Sequence, residues 1–177
     1  MTGASADIGL LALRVVFGLY LAGHGLQKFG RLGGPGLAAT AQAFERGGFR
    51  PGRPMAALAG SLEIAGGLAL VAGFAGPAAA ATVVGVMLVA CSLHVPNGLW
   101  ESKKGVELPA VFATAGLALL FTGTGRVSID HLLGIDDLAG LRESALLLAV
   151  VLAGVAVTLV RRRAQLRSAA VRSAEQQ

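Results

Sequence analysis

The 37 residues from Ile64 to Trp100 contain no Asp, Glu, Lys or Arg. A bilayer core about 30 Å thick is crossed by about 20 apolar helical residues, so an uncharged run of this length has to fold back on itself in lipid. Its one interruption, Gly73-Phe74-Ala75-Gly76-Pro77, is made of turn-forming residues. The segment therefore reads as two membrane spans joined by a tight turn.

The rest of the chain has the same character. Charged residues make up 14% of it, against about 25% in a soluble domain, and the mean hydropathy is +0.69. Five apolar stretches are expected to be helical spans: Ile8 to Phe29, Met55 to Phe74, Ala78 to His94, Leu108 to Thr122 and Ser144 to Val160. Together they leave no room for a soluble domain. Met1 to Asp7 carries no Lys or Arg, and no small-residue cleavage site precedes His24, so the first stretch is expected to stay in the mature protein. Cys91 is the single cysteine. An internal disulfide and a CxxC redox pair are both excluded, and any electron chemistry has to come from a bound cofactor or a partner.

The formal charge of +5 follows the expected topology rather than a nucleic-acid footprint. With the tail Arg161, Arg162, Arg163, Arg167 and Arg172 in the cytoplasm, five spans put the N-terminus outside. Lys28, Arg31, Arg46, Arg50 and Arg53 then share one inner loop, and Lys103 and Lys104 the other. Twelve basic residues lie inside and two, Arg126 and Arg142, outside, with Arg14 embedded. Twelve against two is a clear positive-inside bias. The basic tail is suited to rest on anionic lipid.

Between the spans, Gly36 to Phe44 is small and apolar and runs into glycine and proline breakers, as expected of a short interfacial helix. Ser128 to Leu133 is expected to start a second short surface helix with Ser128 as its cap. Glycines such as Gly18, Gly25, Gly66, Gly67 and Gly116 are dispersed through the spans, where small residues let helix backbones approach closely.

Ionisable groups inside a span are costly, so they are where function is sought. The candidates are Arg14, His24, Gln27, Lys28, Glu63, His94, Asn97 and Glu107. On the first helix, Arg14, Gly18, Leu21, His24, Gly25 and Lys28 share an arc of roughly 120°. Glu63 lies about 12 Å into the second span at about 1.5 Å per residue, a depth comparable with that of Arg14. Two readings are open for it: an Arg14–Glu63 ion pair that pins two helices, or a Glu63 carboxylate that carries protons or binds a ligand. His24, His94, Asn97 and Glu107 are expected to reach the cytoplasmic end of the bundle together. Two single histidines without further pattern fall short of a haem site. His24 and His94 with Glu63 or Glu107 are suitable ligand types for zinc or iron but lack a spacing motif.

Gly18 to Phe29 reads GLYLAGHGLQKF, Gly60 to Gly67 reads GSLEIAGG, and His94 to Gly98 reads HVPNG; Glu107-Leu108-Pro109 and Gly123 to Leu132, GTGRVSIDHL, follow. In that order and spacing the series resembles the DoxX/DoxD family of small bacterial membrane proteins over residues 8 to 133. The resemblance implies an all-α four-helix transmembrane bundle at 1–133. Beyond it, residues 134–177 are expected to hold an outer loop, a fifth span and the basic tail, a departure from the family pattern suited to dock a partner. It also implies that Arg14, His24, Lys28, Glu63, His94, Asn97 and Glu107 are the family's characteristic polar positions, without assigning them catalytic roles. Members are associated with quinone-linked oxidation, including thiosulfate:quinone oxidoreductase subunits, and with soluble redox or sulfur-handling enzymes.

The expected function is therefore a membrane subunit of a quinone-linked or thiol/sulfur-related oxidoreductase assembly. Its partners are the bilayer and a soluble redox enzyme, with glycine-rich faces suited to a homo-oligomer. Quinone is the cofactor implied, held by His24 or His94 with Glu63 exchanging protons. Two alternatives are a scaffold that recruits soluble partners through its basic tail, and a small-solute carrier with Arg14 and Glu63 at a midplane site.

Overall fold

The computed structural model describes residues 3–136 and 140–175. Among them are seven α-helices and no strand: α1 (Ala4–Lys28), α2 (Gly36–Arg46), α3 (Gly52–Ala72), α4 (Gly76–His94), α5 (Glu107–Thr122), α6 (Ile129–Leu132) and α7 (Leu141–Ala174). Helices α1, α3, α4 and α7 are long and apolar enough to cross a membrane. The protein is an all-α, multi-pass membrane protein.

The helix boundaries follow local chemistry. α3 stops at Ala72 because Gly73 turns left-handed at φ 63°, a conformation that costs glycine nothing. The amides of Gly73 and Phe74 then bond back to Leu70 and Ala69 at 3.1 and 2.9 Å, closing the carbonyls of the last turn. Pro77 opens α4, where a missing N–H is harmless. The uncharged run is thus two antiparallel helices and a turn, as its composition requires. The short helix expected beneath the bundle is α2, packed on α3, and the Ser128 cap is present: its hydroxyl accepts the His131 amide at 3.2 Å.

α1, α3, α4 and α5 form the four-helix bundle, each antiparallel to the next around the ring. Two close approaches set the α1–α3 register: Gly18 faces Gly67 and Gly25 faces Gly60 across the pair. α4 carries Ala80, Val83 and Met87 into a core shared with Leu21 of α1, Leu70 of α3, and Phe112, Leu119 and Leu120 of α5. α1 meets α5 through an edge-to-face contact of Phe17 with Phe112 at 5.3 Å. α7 lies outside this ring, against α4, with Ser144 anchored to the Leu120 carbonyl at 2.8 Å.

The expected fourth span, Leu108 to Thr122, is α5, whose 16 residues, about 24 Å, are fewer than those of the four membrane-length helices and pack along α4. The last helix, in contrast, does not stop at Val160. It continues unbroken for 34 residues, about 51 Å, because Arg161 to Ala174 contains neither glycine nor proline and is rich in good helix formers. The basic tail is thus a helical continuation of the fifth span, and its first turns pack on the α2–α3 connection at Gly47 and Gly48.

Candidate functional site

The expected Arg14–Glu63 pair does not form. Glu63, 4% exposed, accepts instead from the Lys28 ammonium. The register explains the exchange. With Gly18 against Gly67 and Gly25 against Gly60, Glu63 lies level with the turn holding His24 and Gly25, while Arg14 lies level with Gly73. These two levels are about 15 Å apart along the helices. Side chains on a helix also lean toward its N-terminus. Lys28 therefore reaches back to the level of Glu63, and Arg14 reaches away from it. A carrier site shared by Arg14 and Glu63 has no geometric basis here.

His24 sits one turn before Lys28 on the same face, within electrostatic reach of Glu63, and its ring meets Phe112 edge-on at 6.0 Å. A carboxylate, an ammonium and an imidazole are thus gathered between α1 and α3, backed by the Phe17–Phe112 wall. Gly60 and Gly67, which flank Glu63 on the side facing α1, leave α3 thin enough for α1 to close over the carboxylate. All three groups exchange protons, so the cluster can hold or relay a proton inside the apolar bundle.

Arg14 belongs to a separate polar centre at the opposite end. It is 1% exposed; its Nη2 donates to the Val127 carbonyl, and Asp130 is within electrostatic reach. Asp130, itself 3% exposed, accepts the amides of Ala75 and Gly76 at 2.7 and 2.8 Å. A carboxylate is thereby placed on the positive N-terminal end of α4. Asp7 accepts the Arg126 amide at 3.0 Å, and Thr124 donates to Ser128 at 3.2 Å. Together these tie the 123–132 segment to the start of α1 and the α3–α4 turn. Asp7 and Asp130 were outside the sequence candidates because both precede or follow the apolar stretches; the only signal was Asp130 within the Ser128 cap motif.

His94, Asn97 and Glu107 do lie at the Lys28 end, but they fasten the α4–α5 connection to itself. Nδ1–H of His94 and the Asn97 amide both donate to the Lys104 carbonyl, at 2.7 and 3.0 Å, and Glu107 accepts the Glu101 amide at 2.8 Å. Lys104 is left-handed at φ 57°, and this conformation turns its carbonyl toward the two donors. The four residues expected to converge are consequently split: His24 joins Glu63, and the other three close a loop. No group of three or more His, Cys, Asp or Glu able to hold a metal is present among the described residues, so His24, His94 and a glutamate do not make the metal set considered from the sequence.

A four-helix bundle with a polar cluster on its first two long helices is the setting in which the family comparison applies. The DoxX family model matches residues 9–95. The chain belongs to the DoxX family. The matched DoxX segment runs from the first turns of α1 to just past α4 and contains Arg14, His24, Lys28, Glu63 and His94. Asn97, Glu107 and all of α5 to α7 lie beyond it. No curated protein and no solved structure matches the chain.

Proposed function

We propose that this DoxX protein is the membrane subunit of a quinone-linked or thiol/sulfur-related oxidoreductase assembly, and that Glu63, Lys28 and His24 form its proton-exchanging site. One observation carries the reading: a buried Glu63 carboxylate that pairs, between two membrane-length helices, with the partly exposed ammonium of Lys28, with an imidazole beside it. A charged side chain near the centre of a span costs about 2.5–3.5 kcal/mol even on the mildest scale, and such groups typically mark ion or proton paths. Packing alone is served by the facing glycines.

The donor set suits a quinone head group: His24 or Lys28 can donate to a carbonyl oxygen, and Glu63 can exchange its proton. His94 is not part of that set, being held by Lys104. A bound quinone supplies a two-electron, two-proton couple. The residues here hold and pass the protons, and the electrons come from a partner enzyme, since one cysteine cannot form an internal dithiol couple. The charge bias supports a cytoplasmic position for the end that carries α2, the α4–α5 connection and the α7 extension, with the N-terminus outside.

The test is the quinone content of protein purified in native lipid, by mass spectrometry, beside Glu63→Gln and His24→Ala. Near-stoichiometric quinone that is lost in both variants supports the reading. Quinone retained equally in all three, or absent from well-folded wild-type protein, overturns it. A scaffold role is favoured by a different observation, the unbroken continuation of α7 past Val160 with Arg161, Arg162, Arg163, Arg167 and Arg172. Truncation after Val160 is then expected to abolish recovery of partners while Glu63→Gln leaves it intact.

A further inference from the structure

A different face of α3 from the one carrying Glu63 looks onto α7 across a gap. α7 packs on α4, with Gly85 admitting Val151, and leaves a cavity of about 530 Å³ between α3, α4 and α7. Its walls are Leu58 and Leu62 of α3, Val86 and Val89 of α4, and Val151 and Val155 of α7. Its mouth, toward the basic end, is formed by Arg50, Arg161, Arg162 and Gln165.

The mouth is held in place by contacts with the α2–α3 connection. Arg162 donates from Nε to the Gly47 carbonyl at 2.7 Å and its guanidinium lies 5.4 Å over the Phe49 ring. Gln165 donates to the Arg50 carbonyl at 3.2 Å, which fixes which end of its amide is oxygen. That oxygen, Oε1, is buried and has no hydrogen-bond partner among the described residues. A buried acceptor without a donor is costly, so the mouth has a place for a hydroxyl or an N–H.

The depth of the groove discriminates among occupants. From Val151 to Gln165 it runs about 21 Å along α7. One leaflet, half of the hydrocarbon core plus its headgroup layer, is about 20–22 Å. A spanning helix of a partner or of a second copy needs about 30 Å of apolar groove and has no use for three arginines at one end. A quinone tail fits the walls, but its neutral head does not answer the charge. We propose that the groove binds one anionic phospholipid with a hydroxylated headgroup, of the phosphatidylglycerol type. Its phosphate sits among Arg50, Arg161 and Arg162, its headgroup hydroxyl donates to Gln165 Oε1, and an acyl chain lies along the valine and leucine walls. Guanidinium groups suit phosphate through paired N–H donors.

The test is native mass spectrometry of the full chain released from nanodiscs of equal parts phosphatidylglycerol and phosphatidylcholine. One retained phosphatidylglycerol per chain is expected. Arg50→Gln with Arg161→Gln should lower the preference over phosphatidylcholine by roughly tenfold or more. Arg162 is left intact because it also holds the loop. Gly154→Leu, at a position with open space around its Cβ, fills the groove and should abolish retention of either lipid while far-UV circular dichroism stays unchanged. Equal retention of the two lipids, retention unaffected by Gly154→Leu, or a quinone or second copy of the chain that Gly154→Leu displaces would each overturn the proposal.

Discussion

Replacing Gly25 with alanine tests the element on which the whole candidate site depends, the close approach of α1 to α3. A Cβ built at Gly25 falls 2.6 Å from the Gly60 carbonyl oxygen, 2.7 Å from Ile64 Cγ1 and 2.9 Å from the Ile64 amide nitrogen. Ordinary contact begins at 3.4 Å, so the methyl group is about 0.8 Å too close, and two of the three atoms are backbone that cannot rotate away. The helices must part locally by about that distance or slide. Overpacking of this kind costs about 1–3 kcal/mol, and the parted surfaces lose dispersion contacts as well. Gly9 on the same helix is the control, with nothing within 4 Å of its added Cβ; there alanine brings only its better helix propensity, worth up to about 1 kcal/mol. One substitution is therefore expected to change sign between two positions of α1. Reversible unfolding in mixed micelles, followed by far-UV circular dichroism as denaturing detergent is raised, reads both. If Gly25→Ala is as stable as Gly9→Ala, the register deduced from the glycines is wrong, and with it the reason Lys28 rather than Arg14 meets Glu63.

Three further outcomes are expected. Lys28→Met strands a buried carboxylate and should cost about 3–5 kcal/mol in the same assay, whereas Lys28→Met with Glu63→Gln should recover more than half of the loss; a double variant no better than the single one would show that the pair is not the interaction lost. Asp130→Asn weakens two hydrogen bonds to a charged acceptor, each worth about 1.5–3 kcal/mol, and should speed hydrogen exchange at Ala75 and Gly76 more than elsewhere in α4, an effect whose absence would remove Asp130 as the cap of that helix. Asp136 accepts from His131 Nδ1 at 2.6 Å, and that hydrogen bond holds its carboxyl below the usual range; its small contribution to stability is present above the unfolded value of about 3.9 and is lost as pH falls through the lower folded value. Carboxyl carbon NMR should show the midpoint return toward the ordinary range in His131→Ala.

By itself the sequence determined the setting and the architecture. An uncharged run longer than one span, broken by Gly73 to Pro77, can only be two apolar helices and a turn, because lipid leaves no other way to satisfy the backbone. The Ser128 cap and the order of the polar positions were legible for the same reason: each is a local property of a few neighbouring residues. Which polar groups meet was decided by the tertiary structure. Glu63 and Arg14 stand at similar depths when counted from the ends of their spans, and only the facing glycines set the register that brings Lys28 to Glu63 and sends Arg14 to Val127. His94 and Asn97 bond to Lys104 because a left-handed residue turns its carbonyl toward them, a conformation no pattern of apolar residues announces. The groove beside α7 likewise exists only because that helix leans on α4 and reaches the loop at Gly47. Periodicity reports which face of a helix is apolar; the contact between two faces depends on their relative slide and rotation, and those are fixed by packing between residues far apart in the chain.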